Sequence, residues 1–200
     1  MQKNSEKLIL QRTRRKSMRL FISCHLSEEF ACYLKELSKK LPEASLTVPK
    51  AFDLTMKFLG EVPDVSLSNI QERLSNLSFP AFEAEFDHVG VFSEKYIRVV
   101  WIGPKDPAPF VLLHKQIDQV LAPLFPETLR FSPHITLARI KSIHDKRKFI
   151  SLLHTLPIEP QRIRIDTLLL VKSSLSSSGA THETLGEIFL QHETHSLPPS

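Results

Sequence analysis

Several things are scarce in this sequence, and each shortage narrows what the chain can be. No apolar run approaches the roughly 18 residues that a membrane-spanning helix needs, and no apolar segment followed by small residues opens the chain as a secretion signal would. Cysteine is nearly absent: Cys24 and Cys32 are the two in 200 residues. They lie in no CxxC or other metal-type spacing, which excludes a disulfide framework and suits a reducing compartment. Both are expected to be small buried hydrophobes. The expectation is a soluble, cytoplasmic protein that does not engage a membrane.

Basic charge is also missing from most of the chain, although the overall pI is about 9.1. Residues 1–19 hold Lys3, Lys7, Arg12, Arg14, Arg15, Lys16 and Arg19 against Glu6, a net of +6, and the other 181 residues hold 19 basic and 21 acidic side chains. The basicity therefore belongs to a tail. Such a tail either adds salt-dependent attraction to RNA or is an extension upstream of a start at Met18, where the patterned sequence MRLFISCHL begins. The expected organisation is a disordered basic extension over 1–17, one domain over 18–190, and a frayed tail over 191–200.

What is present is a hydrophobic content of 42%, enough for a substantial core. Residues 19–25 read as a strand. Ser27 follows as a helix N-cap, with Glu28 and Glu29 in the first turn. Ala31, Leu34, Leu37 and Leu41 give helical spacing before Pro42. A strand over 52–59 and a helix over 66–77 come next. Strands over 82–92 and 96–103, joined by the short SEKY link, are expected to be antiparallel neighbours. A helix over 109–122 carries Leu112, Leu113, Ile117, Val120 and Leu121 as its apolar stripe. A strand over 132–140, a basic helix over 143–154, one long strand over 162–174 and a last strand over 183–190 complete the order. Strand, helix, strand, helix, strand occurs twice. That approximate duplication predicts two pseudo-symmetric α+β lobes about a common cleft.

The two central strands carry the chemistry. In FSPHITLARI, residues 131–140, His134 and Thr136 are two apart and share a strand face, while Ile135 and Leu137 point to the core. DLTMKFLG, residues 53–60, is a near-copy: Asp53 and Thr55 share one face, and Leu54, Met56 and Phe58 are expected on the other. Two imidazoles across a phosphate can serve as acid and base at neutral pH, and a hydroxyl two residues on can hold a non-bridging phosphate oxygen. One such tripeptide is weak evidence, and a pair at matching places in a duplicated chain is strong.

With MRLFIS at 18–23, LTMKFLGEV at 54–62, VGVFSEKYIRVVWIG at 89–103, SPHITLARI at 132–140 and IDTLLLVKSSLSSSGATHETLGEIFL at 165–190, the chain resembles the 2H phosphoesterase superfamily. Within it, the likeness is to the RNA 2′,3′-cyclic phosphodiesterases, also described as 2′-5′ RNA ligase-like proteins. The resemblance implies a bilobal α+β fold with two mainly antiparallel sheets flanking a central cleft and helices outside. It implies metal-independent hydrolysis of a terminal 2′,3′-cyclic phosphate to a 2′-phosphomonoester, with no cofactor, acting as a monomer on RNA ends or nucleotides. It assigns His134 as general base, Thr55 and Thr136 as phosphate-oxygen ligands and Arg139 as the phosphate cation. In an unbroken strand Arg139 would point away from His134, so a bulge or strand end has to redirect it.

Asp53 stands where the family pattern has its first histidine, the proton donor. With an ordinary pKa near 3.9, a carboxyl is protonated about one time in a thousand at pH 7. Raising it to the imidazole range costs about 3.5 kcal/mol. The expectation is an enzyme with reduced or acid-shifted turnover, or else a non-catalytic RNA- or nucleotide-binding module of the same fold. His25 could be paired with Asp53 as a swap that restores an imidazole, but strands read as parallel would put the two at opposite sheet edges.

Metal binding by His134 and Asp53 is disfavoured, because two ligands are too few. The remaining histidines, His88, His114, His144, His154, His182, His192 and His195, offer no ligand spacing. Lys141, Lys146, Arg147 and Lys148 read as a solvated face or as a guide for an RNA backbone. Phe92 and Trp101 are expected to pack in the core.

Overall fold

The computed structural model describes residues 17–176 and 179–191; the expected extension over 1–17 and frayed tail over 191–200 lie outside them except at Ser17, which begins a strand, and Gln191, which hydrogen-bonds Phe79 and Ala81. The elements are β1 (Ser17–Cys24), α1 (Glu28–Lys39), β2 (Ser45–Thr47), β3 (Leu54–Pro63), α2 (Leu67–Ser75), β4 (Phe82–Val91), β5 (Val99–Pro104), α3 (Ala108–Leu121), β6 (Ile135–Ser142), α4 (Lys146–His154), β7 (Gln161–Ile165), β8 (Thr167–Ser176) and β9 (Gly179–Phe189). Capping sets the helix starts where polar side chains allow it. The Ser27 hydroxyl accepts from the Phe30 N–H at 3.2 Å, and the Asp145 carboxylate accepts from the Lys148 N–H at 3.0 Å, starting α4 three residues later than its hydrophobic pattern suggests.

All named strand pairings are antiparallel, in the order β7-β4-β5-β6-β3-β1-β8-β9, with β2 added on β6. The two halves, β7-β4-β5-β6 and β3-β1-β8-β9, meet where β3 pairs with β6 at Leu54 and Ile135, and again where Pro80 bridges Gln191. The duplication is therefore physical: the last strand of the first half, β4, completes the second lobe, and β8 completes the first. The helices share one face of the curled sheet and one apolar core with it, which includes Leu20, Ile22, Leu54, Met56, Ile102, Ile135 and Leu137 from the strands and Phe30, Ile70, Phe110 and Phe149 from the helices. The crossing is reciprocal, since α1 packs on β6 and α3 on β3.

Four local expectations are corrected. The strand over 162–174 is two strands, broken at Asp166, because β7 pairs with β4 in one lobe and β8 with β1 in the other; hydropathy does not reveal a change of partner. Leu112, placed in the apolar stripe of α3, is 56% exposed, and the buried positions are Phe110, Leu113, His114, Ile117, Asp118 and Leu121. Cys32 is exposed, while Cys24 is buried and burial raises its thiol pKa far above the usual range. The turn region before Pro49 contains a short strand, β2, that its sequence pattern does not announce.

Under the first motif strand lies a buried polar cluster. The Lys57 ammonium donates to the Asp118 carboxylate at 2.5 Å and to the Pro126 carbonyl at 2.8 Å. Asp118 also accepts from the Thr128 N–H at 2.9 Å. His114 donates through Nδ1 to the Met56 carbonyl at 2.7 Å and stacks on Phe131, with ring centroids 4.1 Å apart. These contacts tie the loop that leads into β6 to β3 and α3. Removing the carboxylate strands a buried ammonium. Asp118→Ala is therefore expected to cost about 3–5 kcal/mol, while Lys57→Met combined with Asp118→Leu recovers most of the loss. Thermal unfolding of the wild type and these two variants reads this.

Candidate active site

The bridge pair fixes the centre of the concave face. Carrying its antiparallel register one residue each way sets Asp53 opposite Thr136 and Thr55 opposite His134. Each motif's first residue thus stands beside the other motif's threonine. Both first residues sit just ahead of their strands, at the mouth of the cleft, and His134, Thr136, Asp53 and Thr55 are all half-buried.

Bulges then re-aim the side chains further along each strand. In β6, Thr136 pairs with Trp101 and Arg139 with Val99, so Leu137 and Ala138 span a register shift. Residues 99 and 101 of β5 share a face, and Arg139 therefore shares the face of Thr136. The parity problem attached to Arg139 disappears. In β3 the shift works the same way: Thr55 pairs with Ser23 and Phe58 with Phe21, which puts Phe58 on the cleft face. Phe58 is 70% exposed, not in the core as its alternation suggests. It occupies the pseudo-symmetric counterpart of Arg139, while Lys57 turns inward.

His134 is held on two sides. Its Nδ1 is 2.8 Å from the Ser132 carbonyl. A carbonyl only accepts, so Nδ1 carries the proton, and in the neutral ring Nε2 has a free lone pair. Phe92 meets the imidazole edge-on, with centroids 4.8 Å apart, and Phe92 lies 5.7 Å from Trp101. Phe92 is 56% exposed. These two aromatics form a wall of the cleft and are not core residues. The wall depends on Gly90, over which the Trp101 ring lies so closely that a Cβ there would be 2.7 Å from Cζ2. Trp101 Nε1 is buried without a hydrogen-bond partner among the described residues.

Asp53 is not alone. His182 of β9 sets Nδ1 3.2 Å from Asp53 Oδ2, and the two side chains are only 23% and 25% exposed. Burial raises the Asp53 pKa above the ordinary carboxylate value, and the charge and hydrogen bond of His182 oppose it. The β8–β9 hairpin makes this contact by arching over the segment before β3, where a Cβ on Gly179 would lie 3.9 Å from Lys50 Cε. Across the strands, Ser173 pairs with His182 and Val171 with Thr184, so His182 and Thr184 share the cleft face. The spacing of the motif strands, H-x-T, recurs at 182–184. Metal-ligand spacing does not reveal it, and the tripeptide alone does not single it out, because His192 and Thr194 repeat it; the contact with Asp53 does.

His25 lies nearer the site than a parallel reading of the strands suggests. β1 and β3 are antiparallel with Cys24 opposite Leu54, so His25 ends up at the same sheet edge as Asp53. Its ring is exposed and makes no hydrogen bond or ion pair among the described residues; the partner of Asp53 is His182. Of the basic run, Lys141, Lys146, Arg147 and Lys148 are all exposed, and Lys141 and Lys146 line a surface groove with Arg98. Among the described residues no three His, Cys, Asp or Glu side chains converge as a metal site, and no helix is long and apolar enough to cross a membrane.

A duplicated, curled antiparallel sheet with two motif strands at its centre and helices on the outer face is the 2H phosphoesterase fold. The model of the 2′-5′ RNA ligase superfamily matches residues 54–176, and the chain belongs to that family. An RNA 2′,3′-cyclic phosphodiesterase of Aeropyrum pernix is 30% identical over 142 residues, 68% of this chain and 81% of the relative. One from Archaeoglobus fulgidus is 33% identical over 129 residues, 62% of this chain and 73% of the relative. The crystal structure of TT0787 of Thermus thermophilus superposes with a TM-score of 0.72 at 26% identity, covering 88% of this chain and all of that one. Escherichia coli LigT complexed with 3′-AMP has a TM-score of 0.71 at 23% identity, covering 88% of this chain and 99% of that one.

A carboxyl whose pKa is raised on folding favours the fold when protonated, and that contribution is lost as pH rises through the folded-state value. Asp53→Asn, a neutral isostere, is therefore expected to raise the melting temperature at pH 8, where the carboxylate is charged. Near pH 3, where the wild-type carboxyl is protonated in both states, the two proteins should melt together.

Proposed function

We propose that this protein is an RNA 2′,3′-cyclic phosphodiesterase that opens a terminal 2′,3′-cyclic phosphate to a 2′-phosphomonoester by acid/base catalysis without a metal. The observation that carries the reading is His134: its Nδ1 is committed to the Ser132 carbonyl, so the neutral ring offers Nε2 to a water as general base. Thr55 and Thr136 flank it on the same face and bind non-bridging oxygens, and Arg139, turned to that face by the bulge, neutralises the phosphate. Relatives named for this activity support the substrate class. Ring-lined surfaces on both sides of the phosphate site, Phe92 with Trp101 and Phe58 with Phe21, suit the nucleoside of an RNA end.

A second reading rests on Asp53. Without an imidazole at the first motif, the cleft could bind such ends and not turn them over. Hydrolysis of an oligoribonucleotide ending in a 2′,3′-cyclic phosphate, followed by separation of the 2′- and 3′-phosphate products, decides between them. The expected result is 2′-phosphate from the wild type, unchanged by a chelator, and a loss of about 10²–10⁴-fold in kcat for His134→Ala. Equal rates in the two proteins would overturn the base role. Binding without turnover in both would establish the non-catalytic module.

A further inference from the structure

With His134 as base, the departing 3′-oxygen has no proton donor on the first motif strand. We propose that His182 of β9 is the general acid, with Asp53 as the carboxylate that orients its ring; this rests on the cyclic phosphodiesterase reading. The imidazole absent from residue 53 is then supplied from another strand, and Asp53 changes role from acid to positioning residue.

The geometry supports this in three ways. Nδ1 of His182 faces Asp53 Oδ2 at 3.2 Å, so Nε2, on the opposite side of the ring, is the nitrogen left to reach a ligand. A carboxylate on Nδ1 fixes the ring's orientation and leaves Nε2 as the nitrogen that can hand over a proton. Phe21 closes on the ring edge-on with centroids 5.0 Å apart, so ion pair and aromatic contact together fix the ring plane. Finally, His182 and Thr184 reproduce on β9 the histidine-hydroxyl spacing of His134 and Thr136. A histidine that only solubilised a hairpin would have no reason to be paired to the motif position.

The step balances. Water loses a proton to His134 Nε2 as its oxygen bonds to phosphorus. The P–O3′ bond breaks, its electron pair stays on O3′, and O3′ takes the proton from His182 Nε2. The products are a 2′-phosphate and a 3′-hydroxyl. His134 is left charged and His182 neutral, and proton exchange with solvent restores both. Among the described residues, Arg19 and Glu61 continue the cross-strand row of His182 through Ser173, and the Lys172–Glu183 pair lies on the opposite face.

The test is the pH dependence of kcat/KM from pH 5 to 9 on a nucleoside 2′,3′-cyclic monophosphate. The wild type should lose activity on the alkaline side as the acid deprotonates. His182→Gln should fall at least 10²-fold at pH 7 with KM within about threefold and with the alkaline limb gone. Adding Asp53→His to His182→Gln returns an imidazole to the cleft and should recover at least ten times the activity of the single variant, which a folding defect would not allow. A His182→Gln enzyme within threefold of wild type, one depressed equally at every pH with the limb retained, or a double variant with no recovery would each overturn the assignment. If wild type turns over and only His134→Ala abolishes it, the function stands and His182 alone is refuted. If wild type does not turn over at all, the function and the acid role fall together.

Discussion

The two motif strands are joined at the pair Leu54 with Ile135, and both side chains are fully buried. That contact sets the separation of the two motif strands and the register between them. Burying two such aliphatic side chains is worth about 1.5–3 kcal/mol each, and the cross-packing of α1 on β6 and α3 on β3 adds to it. Because the helices cross between lobes, the strands cannot slide past each other without breaking the core. The cleft is therefore anchored on the rigid centre of the molecule, which is what positioning a phosphate between several side chains requires.

Around that centre, strand irregularities decide what faces the substrate. One register shift in each motif strand turns Arg139 and Phe58 to the cleft, and the same shift in β3 sends Lys57 inward to Asp118. A cation on one side and an apolar ring on the other break the pseudo-symmetry of the two halves. The third contribution is the β8–β9 hairpin, whose curl brings His182 over Phe21 to Asp53. A site assembled from β3, β6 and β9 suits a reaction that needs a base and an acid on opposite sides of one phosphorus.

Much of this was legible in the sequence where the information is local. Ser27 and the acidic turn after it announced α1, the repeated order of elements announced the duplication, and H-x-T and D-x-T marked the central strands. Legibility failed where structure depends on partners far along the chain. A bulge leaves the hydrophobic pattern unchanged but inverts every side chain beyond it, so Phe58 read as core and Arg139 as misdirected. Trp101 and Phe92 read as core because nothing local shows that Gly90 opens a shelf for the indole. Asp166 looks like one residue in a long apolar strand, although the chain changes lobes there. The partner of Asp53 was hidden for the same reason: 129 positions separate Asp53 from His182, and only the antiparallel arrangement and the hairpin curl bring them together.

On the proposed reading, two imidazoles on separate strands, His134 and His182, address one phosphate group. Nitrogen-detected NMR of the imidazole rings during titration with a nucleoside 2′-monophosphate reads this without relying on turnover. The Nε2 signals of both histidines should move together and saturate at the same ligand concentration, while His25 and His88 do not respond. Movement of His134 alone, with the His182 ring silent at saturation, would contradict a shared site.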